Sequence, residues 1–144
     1  MVIWLTGNSG SGKTTVAKNA MKHIDHLPIL LDGDEMRQTI SLGAGFSKDE
    51  REEHNLRIAR LANLLSNHGH LVLVTVIAPF DDARAKVQKI CAPVWVYVKR
   101  PSLPEDPNRP YQAPAAYAYC VDNDAESEED AGRNFYDFIK GMMK

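Results

Sequence analysis

The sequence predicts an α/β fold of three layers, with a mostly parallel five-stranded sheet between two sets of helices. Three observations carry that expectation. Strand-like apolar runs alternate with segments of helical periodicity along the chain, the pattern of βα units joined by right-handed crossovers. The run "LVLVTVIAP" (71–79) is continuously apolar and rich in valine, as expected of a strand covered on both faces in a parallel sheet. A glycine-rich stretch, "GNSGSGKTT" (7–15), stands between the first strand and the first helix.

Each element can be justified in turn. "VIWLT" (2–6) reads as a buried strand ending at Gly7. From Lys13 to Ile24, residues Val16, Ala17, Ala20, Met21 and Ile24 share one helical face. "PILLD" (28–32) is a second strand, and "DEMRQTI" (34–40) a short helix with acids in its first turn. "SLGAGF" (41–46) reads as a loop. Ser47 then caps a helix, with Glu50 completing a capping box, and the apolar stripe of Leu56, Ala59, Leu61, Ala62 and Leu65 carries that helix to about His68. "DDARAKVQKIC" (81–91) is helical and "PVWVYV" (93–98) a fourth strand. "KRPSLPEDPNRPYQAP" (99–114) contains five prolines and must be a surface loop. "AYCVD" (118–122) suits an edge strand. A capped C-terminal helix follows from Ser127, with Phe135, Phe138, Ile139 and Met142 on its apolar face.

The 144 residues suffice for one domain, read as 1–144, with a single core. A formal net charge of −2 gives no broad footprint for nucleic acid. No stretch approaches the ~20 apolar residues of a membrane helix, and no leader pattern precedes the glycines, so the expected location is cytoplasmic. Cys91 and Cys120 lie outside any metal-ligand spacing and read as small apolar residues.

The glycine stretch places Gly7, four residues, then Gly12-Lys13-Thr14, which is the full phosphate-loop pattern. Backbone amides at a helix N-terminus, with the helix dipole behind them, receive a polyphosphate. Gly7, Asn8, Ser9, Gly10, Ser11, Gly12, Lys13, Thr14 and Thr15 are therefore the candidate ATP-binding residues. Lys13 should reach the β- and γ-phosphates, and the Thr14 hydroxyl should ligate Mg²⁺. Other informative residues fall at strand C-termini, where ligands bind in such sheets.

Beyond the loop, "LLDGDEMRQTISLGAGFSKDER" (30–51) and "VTVIAPF" (74–80) closely resemble the adenylyl-sulfate kinases, and "PYQAP" (110–114) and "VDND" (121–124) resemble that family's C-terminal segments. The resemblance implies a P-loop kinase fold and transfer of the ATP γ-phosphate to the 3′-hydroxyl of adenosine 5′-phosphosulfate, with Mg²⁺ accompanying ATP. It makes Asp34 the catalytic carboxylate beside Lys13. Asp32 joins Thr14 in organising the metal. Arg37 and Arg51 would hold the phosphosulfate, and Phe46 would stack on the substrate adenine. Asn55, Ile77, Ala78, Pro79 and Phe80 would complete the substrate wall. The implied partners are small molecules, without nucleic acid or membrane, and the family's pattern allows a homodimer.

Three departures stand out. His54 occupies the position where the family usually has Asn, with Asn55 one place later; a one-residue shift turns a helical side chain by about 100°. His54 itself reads as an exposed helix residue. Asp81 follows Pro79-Phe80 where a basic residue is usual. "SLPEDPNRP" (102–110) replaces a longer lid, so the aromatic sandwich on the adenine loses one side unless Tyr111 or a partner supplies it. Lys99, Arg100 and Arg109 are the cations near enough to serve a reduced lid. A kinase for another nucleotide-like or sugar-like alcohol is the first alternative reading. A nucleotide-binding module that does not transfer phosphate is the second.

Overall fold

The computed structural model describes residues 1–143. Five strands, β1 (Val2–Thr6), β2 (Ile29–Asp32), β3 (Val72–Thr75), β4 (Val94–Lys99) and β5 (Tyr119–Asp122), form one sheet in the order β2-β3-β1-β4-β5. All four neighbouring pairs are parallel. The helices are α1 (Lys13–Met21), α2 (Gly33–Arg37), α3 (Lys48–Asn67), α4 (Asp81–Cys91) and α5 (Glu128–Met142).

Strand periodicity sends alternate residues of β1 to opposite faces. Ile3 and Leu5 join Val16, Ala17, Ala20, Phe135 and Ile139 in the core against α1 and α5. Val2 and Trp4 join Ile58, Ala59, Ala62 and Val87 in the core against α3 and α4. Every residue of β1 is therefore buried, and the expected three-layer architecture is present. β1 lies at the centre, and the chain crosses it in passing from β3 to β4. The crevice beyond its carboxyl end is thus the ligand-binding position of such sheets.

Two elements are shorter than their sequence patterns suggested. β3 stops at Thr75 although the apolar run continues to Pro79. Beyond it, each carbonyl leaves the strand ladder for a side chain or a loop amide. The Trp4 indole donates to Val76 O at 3.0 Å, the Thr6 hydroxyl to Ile77 O at 2.6 Å, Arg84 Nη1 to Ala78 O at 2.7 Å and Gln112 N to Pro79 O at 2.8 Å. Ala78 sits at φ 46°. Those residues are a scaffolded loop over the sheet's end. α2 likewise ends at Arg37, and turns carry residues 38–43. Ser47 Oγ caps α3, accepting from Glu50 N at 3.2 Å, and the Glu50 carboxylate reaches back to accept from Gly45 N and Ser47 Oγ.

α5 lies directly on α1. A Cβ on Gly132 would overlap Asn19 Cβ and stand 3.1 Å from the Asn19 carbonyl carbon. Helix propensity alone would favour alanine over glycine by about 1 kcal/mol. Backbone cannot yield as a side chain can, so overpacking of roughly 1–3 kcal/mol should win. Gly132→Ala is expected to lower the melting temperature by about 3 °C or more; a rise in a thermal unfolding scan would show that the two helices separate at no cost.

Candidate active site

A cleft of about 680 Å³ opens beyond the carboxyl ends of β1, β2 and β3. Its floor is the loop between β1 and α1. Gly10 and Gly12 adopt φ of 81° and 97°, the left-handed region that only glycine enters freely. A Cβ on Gly12 would also stand 2.5 Å from the Asn123 amide nitrogen. That amide donates to Ser11 O at 2.5 Å, and Asn123 N donates to Lys99 O at 3.0 Å, so the segment after β5 braces the loop. The first amides of α1 lack intrahelical acceptors, and Gly12 to Thr15 line the cleft. Lys13 Nζ donates to Gly7 O at 2.8 Å and to Asn8 O at 3.0 Å. Burial lowers its pKa to about 8, against the opposing pull of Asp32 and Asp34. A bound polyphosphate would supply the counter-charge this buried ammonium needs.

Asp32 ends β2 and stands at the N-cap of α2, yet its carboxylate does not cap the helix. Asp32 Oδ1 instead accepts from the Thr14 hydroxyl at 2.6 Å and from the Thr75 hydroxyl at 2.9 Å. One turn of α2 then brings Asp34 and Arg37, three residues apart, to the cleft. Arg37 Nη1 donates to Gly45 O at 3.2 Å, and its guanidinium covers one face of Phe46 at 4.3 Å from the ring centroid. Phe46 is 67% exposed, so it is no plug of the core.

The far wall is α3. Arg51, His54 and Asn55 share one helical face by their spacing, and all three line the cleft. The expectation of an exposed His54 is corrected here: it is 3% exposed. Its Nδ1 lies 2.7 Å from Ser41 Oγ, which also accepts from Arg57 Nη1 at 2.9 Å. Burial first, then the charges of Arg37 and Arg57, push the His54 pKa down to about 4, so the ring is neutral. The shift in helical position does not keep one of the pair out of the cleft, because the two residues flank the same stripe. Asn55 is buried too, and its Nδ2 has no hydrogen-bond partner among the described residues.

The third wall is the scaffolded segment after β3, with Ile77, Ala78 and Pro79 on the cleft. Arg84, buried beneath it, also donates to Gln112 O at 2.5 Å and pairs with Asp81. Asp81 thus has a local role in the first turn of α4. Phe80 departs from expectation: its ring is outside the cleft wall and faces Lys48, whose Nζ is 5.0 Å from the centroid. Tyr111 does not replace the missing aromatic side. Its hydroxyl is 2.8 Å from Thr6 Oγ1, and its ring packs on Tyr97 and Arg84 under the loop.

The proline-rich loop sorts its three cations. Arg109 reaches the phosphate loop, donating to Ser9 Oγ at 3.1 Å, and lines the cleft together with Asn108 and Pro110. Lys99 and Arg100 sit by Asp122 and Asp124, at 4.0 and 3.7 Å, beside a second cavity of about 640 Å³ beneath the loop. Ser11 faces that second cavity, with its hydroxyl buried and without a partner among the described residues, and Gly7 contributes its carbonyl to Lys13. Thr75 goes unmarked in the sequence, although it is the polar residue ending an apolar strand; His54, three residues after Arg51, stands out there but reads as exposed.

The adenylylsulphate kinase family profile matches residues 1–106, ending inside the proline-rich loop. The adenylyl-sulfate kinase of Myxococcus xanthus is 38% identical over 107 residues, covering 69% of this chain and 58% of its own length. That of Bacillus pumilus is 30% identical over 171 aligned positions, covering 99% of this chain and 86% of its own. The chain spans between 48% and 60% of the length of the first curated relatives it matches. Among solved structures, the Mycobacterium tuberculosis APS kinase in complex with AMPPNP and APS superposes with a TM-score of 0.84 at 28% identity, covering 96% of each chain.

The buried neutral His54 has a consequence for pH. Its ordinary pKa of 6.5 falls to about 4 in the folded protein. Between those values the unfolded chain takes up the proton and the folded chain does not, so stability falls as pH drops from 6.5 towards 4 and is unaffected above 6.5. Urea unfolding at pH 7 and pH 5 should show a loss on the order of 1–2 kcal/mol from this group. That component should vanish in His54→Asn; an equal pH slope in both proteins would show that His54 charges freely in the fold.

Proposed function

Because the chain belongs to the adenylylsulphate kinase family, we propose that it transfers the γ-phosphate of ATP to the 3′-hydroxyl of adenosine 5′-phosphosulfate. The observation carrying this reading is a single cleft that collects Lys13, Thr14, Asp32, Asp34, Arg37 and Arg51. Residues 1–144 act as a single kinase domain, with the loop at about 99–114 as a short lid.

In this reading the amides of Gly10 to Thr15 hold the phosphates, and Lys13 leaves its loop carbonyls for the β- and γ-oxygens. Thr14 and Asp32 suit Mg²⁺. The donor set is all oxygen, and Asp32 directs the Thr14 hydroxyl proton to itself, leaving the Thr14 oxygen free to ligate. The ion would supply neutralisation of the charge on the phosphates. Asp34 orients the acceptor hydroxyl and takes its proton as the oxygen bonds to the γ-phosphorus and the bridge to ADP breaks. Little else is asked of the protein, because phosphoryl transfer depends on alignment and charge neutralisation. Arg37 and Arg51 bind the acceptor's anionic end, and the open face of Phe46 receives its base.

A second acceptor, another nucleotide-like or sugar-like alcohol, is favoured by one observation. Tyr111 is committed beneath the loop, so nothing described on this chain covers the second face of a base resting on Phe46. An ADP-release assay over a panel of acceptors tests the proposal. Release stimulated by adenosine 5′-phosphosulfate well above sugars and other nucleotides supports it; stimulation only by another alcohol replaces it.

Two substitutions probe the roles. Lys13→Ala should lower kcat/KM by roughly 10²–10³-fold and weaken ATP binding in titration calorimetry. Near-normal turnover would remove Lys13 from the mechanism. Asp34→Asn should lower kcat by roughly 10²–10⁴-fold with little change in ATP affinity. An unchanged kcat with a raised KM for ATP would make Asp34 a nucleotide-binding residue instead.

A further inference from the structure

Two cations are anchored on three consecutive residues of the phosphate loop. Lys13 Nζ donates to Gly7 O at 2.8 Å and to Asn8 O at 3.0 Å. Arg109 Nη1, from the proline-rich loop, donates to the next residue, Ser9 Oγ, at 3.1 Å. Lys13, Arg109 and Asp34 line the same cleft. A phosphate-loop lysine meets the β- and γ-phosphates, so a terminal phosphate on Lys13 lies beside Arg109 too. The guanidinium is uncommitted. Lys99 and Arg100 stand 4.0 and 3.7 Å from Asp122 and Asp124, whereas no carboxylate among the described residues pairs with Arg109. The bond to Ser9 spends one of five N–H donors on a neutral oxygen, and an anionic phosphate oxygen is the stronger partner. The backbone that carries Arg109 is held. Arg109 N donates to Asp106 O at 2.9 Å and Asn108 N to Asp106 Oδ1 at 2.9 Å, and Pro107 and Pro110 each lock their own φ beside that turn. Two residues on, the Tyr111 hydroxyl lies 2.8 Å from Thr6 Oγ1 at the end of β1. Rotation of the arginine side chain alone is therefore enough to exchange Ser9 for a phosphate.

We propose that Arg109 is a further catalytic residue on the donor side: its guanidinium leaves Ser9 Oγ and binds oxygens of the ATP γ-phosphoryl group alongside Lys13. This rests on the kinase reading above and gives a chemical task to a loop which that reading uses only as a short cover. In the transfer the acceptor oxygen bonds to the γ-phosphorus and its proton passes to Asp34. The bond from that phosphorus to the β–γ bridging oxygen breaks, and its electron pair leaves with ADP. Charge redistributes over the γ-phosphoryl and bridging oxygens as this happens. A planar guanidinium spans two such oxygens, where an ammonium acts as a point charge. A contact that strengthens as the charge moves lowers the barrier beyond any gain in ATP binding. An arginine supplied in this way accelerates phosphoryl transfer by roughly 10³–10⁵-fold. Arg109 is exposed, and solvent screening places its effect below that range.

The test combines kinetics with titration calorimetry on the full chain. Arg109→Ala should keep the melting temperature and lower kcat for transfer to adenosine 5′-phosphosulfate by roughly 10²-fold. Arg109→Gln, which keeps much of the stem, should do the same. In both variants the affinity for ATP should fall by roughly three- to ten-fold, while that for ADP, which lacks the γ-phosphate, stays within about two-fold. Lys99→Gln removes a loop cation held by Asp122 and should leave kcat within about two-fold. Unchanged kcat in a folded Arg109 variant overturns the proposal, and so does an equal loss in Lys99→Gln, which would make general loop charge the cause. Equal weakening of ATP and ADP overturns it as well, because it places Arg109 on the part the two nucleotides share. In each of these cases normal turnover by the unmodified protein leaves the kinase reading intact. The ratio of ATP to ADP affinity is read without an acceptor. It therefore judges Arg109 even where the unmodified protein fails to phosphorylate adenosine 5′-phosphosulfate, the result that removes the kinase reading itself.

Discussion

One carboxylate ties the site together. Asp32, at the end of β2, accepts from Thr14 on α1 and from Thr75 at the end of β3. β2 and β1 are not neighbours in the sheet; β3 lies between them. The side chain therefore crosses a strand to reach the helix that follows β1. By bonding both hydroxyls it fixes the start of α1 relative to the strand that delivers Asp34 and Arg37. A carboxylate accepting two hydroxyl protons is well satisfied, and its charge lies near the buried Lys13 ammonium, offsetting part of the cost of that burial.

The opposite wall has its own tie. Arg84 is only 6% exposed, and its guanidinium binds Ala78 O, Gln112 O and Asp81. Gln112 donates its backbone N–H to Pro79 O, and its side-chain oxygen accepts from Asp81 N. These bonds join the segment after β3 to the end of the proline-rich loop. The loop is thereby held at its "PYQ" end, and at its start by the Ser102 bonds to Asp124. Arg109, between those two fastenings, is left over the phosphate loop. A short connector with both ends fixed can present one cation without the helices of a longer lid.

Much of this was legible in the residue pattern, and the reasons for the rest are physical. The residue pattern pointed to all five strands and to the helices, four of which bury residues in the core; α2, which buries none, was marked by the acids of its first turn. The pattern overran at β3, where apolarity continues but carbonyls go to Trp4, Thr6 and Arg84; such long-range partners leave no trace in local pattern. The glycine loop and the Asp-Gly-Asp were readable because phosphate chemistry demands particular residues at particular spacing. His54 was misread because a histidine among charged residues on a helix looks solvated. Its burial depends on Ser41 and Arg57, one on another segment, the other a turn away. Tyr111 was offered as a lid aromatic on proximity in sequence, and its hydroxyl bond to Thr6 turns it the other way.

The proposed activity requires the cleft to align the ATP γ-phosphate with the 3′-hydroxyl of adenosine 5′-phosphosulfate. Its most direct test is to follow the phosphoryl group itself. The protein would be incubated with ATP carrying ¹⁸O in its γ-phosphate, together with adenosine 5′-phosphosulfate, and the products located by mass and ³¹P NMR. The labelled phosphoryl group is expected on the 3′-oxygen of the intact phosphosulfate. Label found only in inorganic phosphate, or on any other position, would contradict it.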